Sequence, residues 1–292
     1  MGSQKVTTMH QIFYVSSGYN EDLTGWNTAS VQNLQQAFAY SAFNGDLNNW
    51  NVAAVTSMLG MFSDSVSDST CVMLTKFGNL ERPNLGNCVM CRHQGYNRII
   101  SSWDVSNVQD MQQMFYGNTQ FATDIGSWKV SKVTNFQAMF EGASNFQQNL
   151  NNWDVSSVQN LGSLFSGIVY NFDLSSWNVA SVTDMASMFL SNSLLNSNFQ
   201  SWDVSNVKGF DYMFVACTMF NGDISGWDVS SATSMISMFD SAASFNQDLC
   251  AWGAHLGSSV SASSMFFDAT SCPFQTDPNL SASPKGPLCY AC

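Results

Sequence analysis

The nine tryptophans of this chain recur at a nearly constant interval. They are Trp26, Trp50, Trp103, Trp128, Trp153, Trp177, Trp202, Trp227 and Trp252. Successive members are 24, 53, 25, 25, 24, 25, 25 and 25 residues apart. A fixed period of this length is the signature of a repeat protein, in which each turn is one small unit that packs only on its neighbours. Because such an array offers a long surface rather than a single cleft, binding is the first function to consider.

The segment from Trp103 to Ser127 shows the template of one repeat. Trp103 and Val105 lie two residues apart, which places them on one face of a short extended segment. Ser106 is typical of a helix start and Gly117 of a helix end. The apolar residues between them have the helical spacing i, i+3, i+6 and i+7, and they are Val108, Met111, Met114 and Phe115. The template therefore predicts a short strand, about two turns of helix and a loop.

Stacked repeats of this kind predict an α/β repeat solenoid that is leucine-rich-repeat-like, with one short parallel strand plus a short helix per turn of about 25 residues. We expect the Trp side chains to stack in one core column. Residues 1–25 form an N-terminal half-repeat, residues 26–252 the solenoid with an insertion at about 65–95, and residues 253–292 a degenerate repeat and a C-terminal cap with Cys and Pro. The register begins in mid-repeat, which indicates either a capping half-repeat or a piece of a longer protein.

Strings of the type F-N-x-D-L-x-x-W-D-V-S-x-V-x-x-M-x-x-M-F, for example residues 220–239, carry a family resemblance. They resemble the bacterial surface-protein 26-residue repeat family of the mycoplasma type, which also occurs in protists and algae and looks like a relative of BspA-type leucine-rich repeats. The resemblance covers about Val6 to Phe267. It implies a leucine-rich-repeat-like fold at a cell surface, and it implies no ligand. The insertion and the cysteine-rich end depart from the pattern, so nothing is carried over to them.

Charge and composition narrow the classes of partner. Nine basic and 21 acidic residues give a net charge of −12, which disfavours nucleic acid and anionic membrane surfaces. No apolar stretch is long enough for a transmembrane segment. The eight cysteines form an even set and cluster outside the regular repeats, which suggests an oxidising compartment. We therefore predict an extracellular, cell-surface or oxidising lumenal location.

The insertion is the place where the chain departs from its own period. It contains Cys71, Cys88 and Cys91, and it contains or adjoins the basic residues Lys76, Arg82, Arg92 and Arg98. Positive charge on an acidic protein suggests a docking element for a partner. The alternatives are a tolerated loop stapled by a disulfide, and a zinc site in which His93 joins the three cysteines. Four ligands are cramped in that spacing, so we predict disulfides and no metal.

Disulfides are also predicted near the C-terminus. The candidates are Cys250, Cys272, Cys289 and Cys292. Cys250 and Cys272 fall in adjacent turns at similar positions, which makes them the favoured pair. Cys217 stands within a regular repeat and is predicted to be a small buried apolar residue.

Two polar columns recur beside the tryptophans. One residue after Trp, the predicted strand face carries Asp104, Lys129, Asp154, Asp203 and Asp228. Like charges stacked at strand spacing repel, so a cation or a basic partner could bind there. Four residues before Trp, the recurring Asp or Asn predicts a ladder of turns capped by its own side chain.

No catalytic motif or cofactor-binding motif is present, so we predict that the protein is not an enzyme and takes no cofactor. The leading hypothesis is a surface or secreted interaction module that binds protein or glycan through the repeats and the insertion. The alternative is a structural subunit of a larger assembly, such as a filament or a membrane complex. A third hypothesis is ice or mineral binding, and against it stands the expectation that no outward Thr column exists.

Overall fold

In this computed structural model, which describes residues 5–63 and 95–292, the repeats stack into one ladder of parallel β-bridges. One residue in each turn bridges to its equivalent in the next: Thr8, Asn33, Ser57, Asp110, Asn135, Asn160, Asp184, Gly209, Ser234 and Ser261. The bridging residue follows Trp by seven positions in most turns, as Asp110 follows Trp103. The β-bridges between turns therefore do not lie at the Trp-x-Val segment, where a strand was predicted.

Alternate backbone N–H groups form the ladder. Between the turns of Trp103 and Trp128, the N–H groups of residues 111, 113, 115 and 117 donate to the carbonyls of residues 135, 137, 139 and 141 at 2.7–3.1 Å. The intervening N–H groups bond back within their own turn, as Met114 does to the Met111 carbonyl at 3.2 Å and Tyr116 to the Gln113 carbonyl at 3.1 Å. Each such pair closes a β-turn, so the segment is a run of consecutive turns.

The predicted helix in each repeat is wrong, and so is the α/β, leucine-rich-repeat-like solenoid class. Within the described residues, the one helix is the 3₁₀ helix Cys250–Ala254, and the bridges remain isolated rather than extending into strands. Gln113 has a φ of 56° and Gly117 a φ of 65°, values that an α-helix excludes. A spacing of three between apolar residues is common to helices and to runs of turns, so the pattern could not separate them.

Aromatic rings run through the core as a continuous column. Its members are Phe13, Phe38, Phe62, Phe115, Phe140, Phe165, Phe189, Phe214, Phe239 and Phe266. Neighbouring ring centroids lie 5.2–6.0 Å apart in stacked geometry. Each ring covers the next, so an interior turn buries its Phe between the rings of its two neighbours.

The tryptophans form a second buried column, as predicted. From Trp50 to Trp252 their side chains are 0–4 % exposed. Each of these indoles donates its Nε1–H to a backbone carbonyl of the preceding turn at 2.9–3.2 Å. Trp153, for example, donates to the Ile125 carbonyl, which also accepts the backbone N–H of Trp128 at 3.0 Å. Trp26, at the start of the column, is 37 % exposed.

The ladder continues across the long gap between Trp50 and Trp103. The N–H groups of residues 58, 60 and 62 donate directly to the carbonyls of residues 110, 112 and 114 at 2.8–3.0 Å. The hydrogen bonds between turns therefore run directly from the turn of Trp50 to the turn of Trp103.

The C-terminal segment closes one end of the stack. The backbone forms two short antiparallel bridges there, Asn279 with Gly286 and Leu288 with Tyr290. The Leu288 carbonyl accepts the Leu249 N–H at 3.3 Å, and both side chains are fully buried. Trp252 beneath them is 0 % exposed, so the cap shields the last member of the Trp column from water.

Candidate interaction surfaces

An exposed polar column runs beside the bridges, and we call it the Thr/Gln column. It consists of Thr7, Gln32, Thr56, Gln109, Thr134, Gln159, Thr183, Lys208 and Thr233, and each of these residues is exposed. Thr therefore occupies every second turn, which corrects the expectation that no outward Thr column exists. The sequence already carried this signal six residues after each Trp, but which columns face outward depends on the fold.

The backbone of the preceding turn holds the threonine side chains of this column in place. The hydroxyls of Thr56, Thr134, Thr183 and Thr233 donate to carbonyls of the turn before at 3.0–3.2 Å. A hydroxyl that donates in this way keeps its oxygen lone pairs as acceptors, and the Gln amides offer both donors and acceptors. The column thus presents largely uncharged hydrogen-bonding groups at one-turn intervals.

The residues that follow Trp26 through Trp227, which we call the post-Trp column, are exposed as predicted. The Asp and Asn side chains among them also cap local turns. Asp104 accepts the Ser106 N–H at 3.1 Å, and Asp228 accepts the Ser230 N–H at 3.0 Å. Sequence reasoning had assigned this role only to the column before Trp. One carboxylate oxygen of each residue is thereby engaged inside its own repeat.

Local hydrogen bonds dominate the electrostatics of the post-Trp column. Those from Ser106 lower the pKa of Asp104, and Lys129 and Lys132 lower it further by a smaller amount. The hydrogen bonds from Ser205 lower the pKa of Asp203, while the neighbouring charge of Asp228 opposes them. Repulsion between neighbouring carboxylates therefore shifts the pKa of Asp203 less than the hydrogen bonds that cap its turn do.

We expect stability to fall in acid. The folded pKa of Asp104, Asp203 and Asp228 lies below the usual 3.8, so their contribution is full above about pH 4 and is lost as the pH falls through the folded values. Burial raises the pKa of the half-buried Asp110, which acts in the opposite direction. Thermal unfolding measured between about pH 2 and about pH 7 should give a melting temperature that is constant above about pH 4 and decreases at lower pH.

Two substitutions test which carboxylates cause the pH dependence of stability. Asp203→Asn should retain the turn, because Asn178 in the same column caps the N–H of Ala180 at 3.2 Å. Without the titrating carboxylate, the midpoint should depend less steeply on pH below about pH 4. Asp110→Asn removes the opposing group and should steepen the dependence. An unchanged slope in Asp203→Asn contradicts the assignment.

The column four residues before Trp is a ladder of Asx-turns, as predicted. Asp22 accepts the Thr24 N–H at 2.8 Å, and Asp223 accepts the Ser225 N–H at 3.0 Å. Hydrogen bonds from Ser225 lower the pKa of Asp223. This column is therefore structural.

A ladder of asparagine side chains, which was not predicted from the sequence, forms hydrogen bonds between successive loops. The Asn97 N–H donates to the Asn44 side-chain oxygen at 3.1 Å, and the Asn246 N–H donates to that of Asn221 at 2.9 Å. At the end of the stack the Tyr290 hydroxyl donates to the Asn246 oxygen at 2.8 Å, where a further turn would otherwise bond. The recurring Asn after the late aromatic, as in Phe245-Asn246, was the available signal.

Disulfide bonds are confirmed in the C-terminal cap, but the favoured pairing is wrong. Cys250 is bonded to Cys292, and Cys272 to Cys289, so Cys250 and Cys272 are not partners. Their similar positions in adjacent turns did not bring them together, because the chain after Cys272 folds back over the stack. Cys217 is a free, buried thiol whose sulfur lies 3.0 Å from the Phe189 carbonyl oxygen, and burial raises its pKa.

Most predicted residues of the insertion lie outside the described residues, namely Cys71, Lys76, Arg82, Cys88, Cys91, Arg92 and His93. Their roles stay predictions. Arg98 is described, and its Nε–H donates to the Asn44 carbonyl at 2.7 Å beside a shallow, open depression. No cluster of three or more potential metal ligands occurs among residues 5–63 and 95–292.

The stack of nearly equivalent turns with one continuous core defines this chain as a repeat protein. The family model described as Mycoplasma protein of unknown function, DUF285, matches at residues 2–71, 87–171 and 164–278, and the chain belongs to this family. The predicted mycoplasma-type resemblance is thereby confirmed. No curated protein and no solved structure matches the chain. In the described part of the chain, no helix has the length and apolar character to cross a bilayer.

Proposed function

We propose that this protein is a non-enzymatic interaction module, secreted or displayed on a cell surface, that binds a glycan or a protein along its Thr/Gln column. The observation that carries the proposal is the regular exposure of this column on a continuous stack. Hydrogen-bonding groups at a constant interval suit a partner whose own polar groups repeat, as those of a glycan do.

Two further features support this setting. The two disulfides of the cap fit an oxidising, extracellular location. The net charge of −12 and the few basic side chains disfavour polyanionic partners, which leaves neutral or basic ones.

The test is a binding measurement with a panel of immobilised neutral glycans. The combined variant Gln109→Ala, Thr134→Val and Gln159→Ala removes three adjacent members of the column. At about 1 kcal/mol for each lost hydrogen bond, we expect affinity to fall by about tenfold or more.

A matched control replaces exposed polar residues outside the column. Asn145→Ala with Ser244→Ala should leave binding unchanged, since both residues are exposed and lie in the loops. If both sets of substitutions weaken glycan binding equally, or if the triple variant still binds as before, the binding surface lies elsewhere. If the folded protein binds no glycan of the panel, the proposal that its partner is a glycan is wrong.

A further inference from the structure

A single asparagine of this chain stands in the pattern Asn-x-Ser or Asn-x-Thr, with x other than Pro. It is Asn279, which is followed by Leu280 and Ser281. This pattern is the acceptor sequence for N-linked oligosaccharides in secreted proteins. The repeats are rich in Asn, Ser and Thr, yet none of their asparagines has Ser or Thr two residues later. Within this chain the pattern therefore belongs to the C-terminal cap alone.

The cap presents both polar side chains of this pattern to solvent. Asn279 and Ser281 are exposed, whereas Leu280 between them is 6 % exposed and belongs to the core. Leu280 thus holds the segment against the stack while its two neighbours face outward. The backbone is fixed as well, because the Asn279 N–H donates to the Gly286 carbonyl at 2.8 Å. The position and the exposure of Asn279 are therefore set by the folded cap.

Hydrogen bonds orient the side-chain amide of Asn279. Its oxygen accepts the Ser281 N–H at 3.1 Å, which closes an Asx-turn. Its Nδ2 donates no hydrogen bond to any described residue, and the Ser281 hydroxyl forms none with a described residue either. By contrast, the Nδ2 of the buried Asn192 donates to the Tyr170 carbonyl at 2.7 Å. The nitrogen and the hydroxyl of the pattern are thus both available at the surface.

Asparagines inside the array are placed differently. The side-chain oxygen of Asn221, for example, accepts the Asn246 N–H of the next turn at 2.9 Å. An oligosaccharide on such a side chain would lie between turns that are about 4.8 Å apart. Asn279 takes no part in these contacts between turns, since its backbone pairs with Gly286 of the cap. An attached oligosaccharide at Asn279 therefore leaves the ladder of turns intact.

We infer that Asn279 is an N-linked glycosylation site, which receives an oligosaccharide from a lipid-linked diphosphate donor in the lumen of a secretory pathway. Nδ2 forms a bond to C1 of the first sugar and loses a proton. The bond between C1 and the phosphate oxygen of the donor breaks, and the lipid diphosphate leaves. The inference rests on the secreted setting of the proposed function. The two disulfides of the cap fit the same oxidising compartment.

The test directs the full chain into the secretory pathway of a eukaryotic cell and recovers it from both the cells and the medium. An amidase that removes N-linked oligosaccharides is then applied in heavy-oxygen water, so that a glycosylated Asn becomes a labelled Asp. We expect the intact mass to fall by the mass of a single oligosaccharide, and the label to lie at position 279. Recovery of the chain with Asn279 unmodified overturns the inference.

Three variants show whether the acceptor pattern directs the modification. Ser281→Ala keeps Asn279 and the N–H that closes its turn but removes the hydroxyl, so the mass shift should be lost. Ser281→Thr keeps a hydroxyl and should keep the shift. Asn145→Gln changes an exposed asparagine outside the pattern and should also keep it. Thermal unfolding verifies that each variant folds. A shift that survives Ser281→Ala, or that is lost in Asn145→Gln, contradicts the assignment.

The same variants separate this inference from glycan binding by the Thr/Gln column. The triple variant of that column should be modified at Asn279 like the intact chain. Ser281→Ala, which carries no oligosaccharide, should bind the glycan panel as strongly as the intact chain does. A chain that is modified at Asn279 but binds no glycan contradicts the proposed function alone. A chain that binds glycans with Asn279 unmodified contradicts this inference alone.

Discussion

Replacing Trp153 by Ala is expected to lower the free energy of unfolding by about 3–5 kcal/mol. The side chain is 3 % exposed, its Nε1–H donates to the Ile125 carbonyl at 3.2 Å, and its ring stacks on Phe136 at a centroid distance of 5.2 Å. The substitution removes this packing in the middle of an array whose turns depend on their neighbours. Chemical unfolding followed by circular dichroism measures the effect, and a second transition would show that the two halves have become uncoupled.

Two control substitutions separate the effect of burial from the effect of the indole hydrogen bond. Trp26→Ala makes the same change at the 37 % exposed end of the column and should cost much less. Trp153→Phe keeps an aromatic ring but loses the hydrogen bond, and should cost about 1–2 kcal/mol. The Ile125 carbonyl keeps the Trp128 N–H as a donor, which limits that loss. Equal effects at Trp26 and Trp153 would contradict the buried column.

Removing the disulfide between Cys250 and Cys292 is expected to destabilise the protein by about 2–5 kcal/mol. The bond closes a segment of 42 residues and holds the cap over the last turns. Without it, Trp252 and Leu288, both now fully buried, should become accessible when the cap detaches. The double variant Cys250→Ser and Cys292→Ser should melt at lower temperature, with faster hydrogen exchange confined first to the C-terminal turns.

The free thiol provides the control for that experiment. Cys217→Ala removes a cysteine that is in no disulfide, so the variant should remain as sensitive to reductant as the unmodified protein. The double serine variant should be less sensitive, since the bond between Cys272 and Cys289 alone remains in the cap. A double variant that unfolds like the intact oxidised protein would show that the bond between Cys250 and Cys292 is not needed to hold the cap.

Several features of the candidate surfaces were within reach of the sequence and others were not. The post-Trp column was correctly placed at the surface, because Asp104 alternates with the buried Trp103 and Val105. The Thr/Gln column was missed although its residues recur with the same period. Its members follow the predicted strand by several residues, in a segment that was predicted to be helical, so their exposure on a single face was not apparent.

The sequence by itself determined the period, the family, the apolar columns and the Asx-turns, because each depends on residue type recurring at a fixed interval. Only the tertiary structure decided between a helix and a run of turns. The angle φ is positive at Gln113, Ala138 and Ser163. Their residue types do not predict this conformation, which the hydrogen bonds between turns stabilise. The structure also decided the disulfide partners and how the last turns are covered, because both depend on where the C-terminal chain folds back and not on any local pattern.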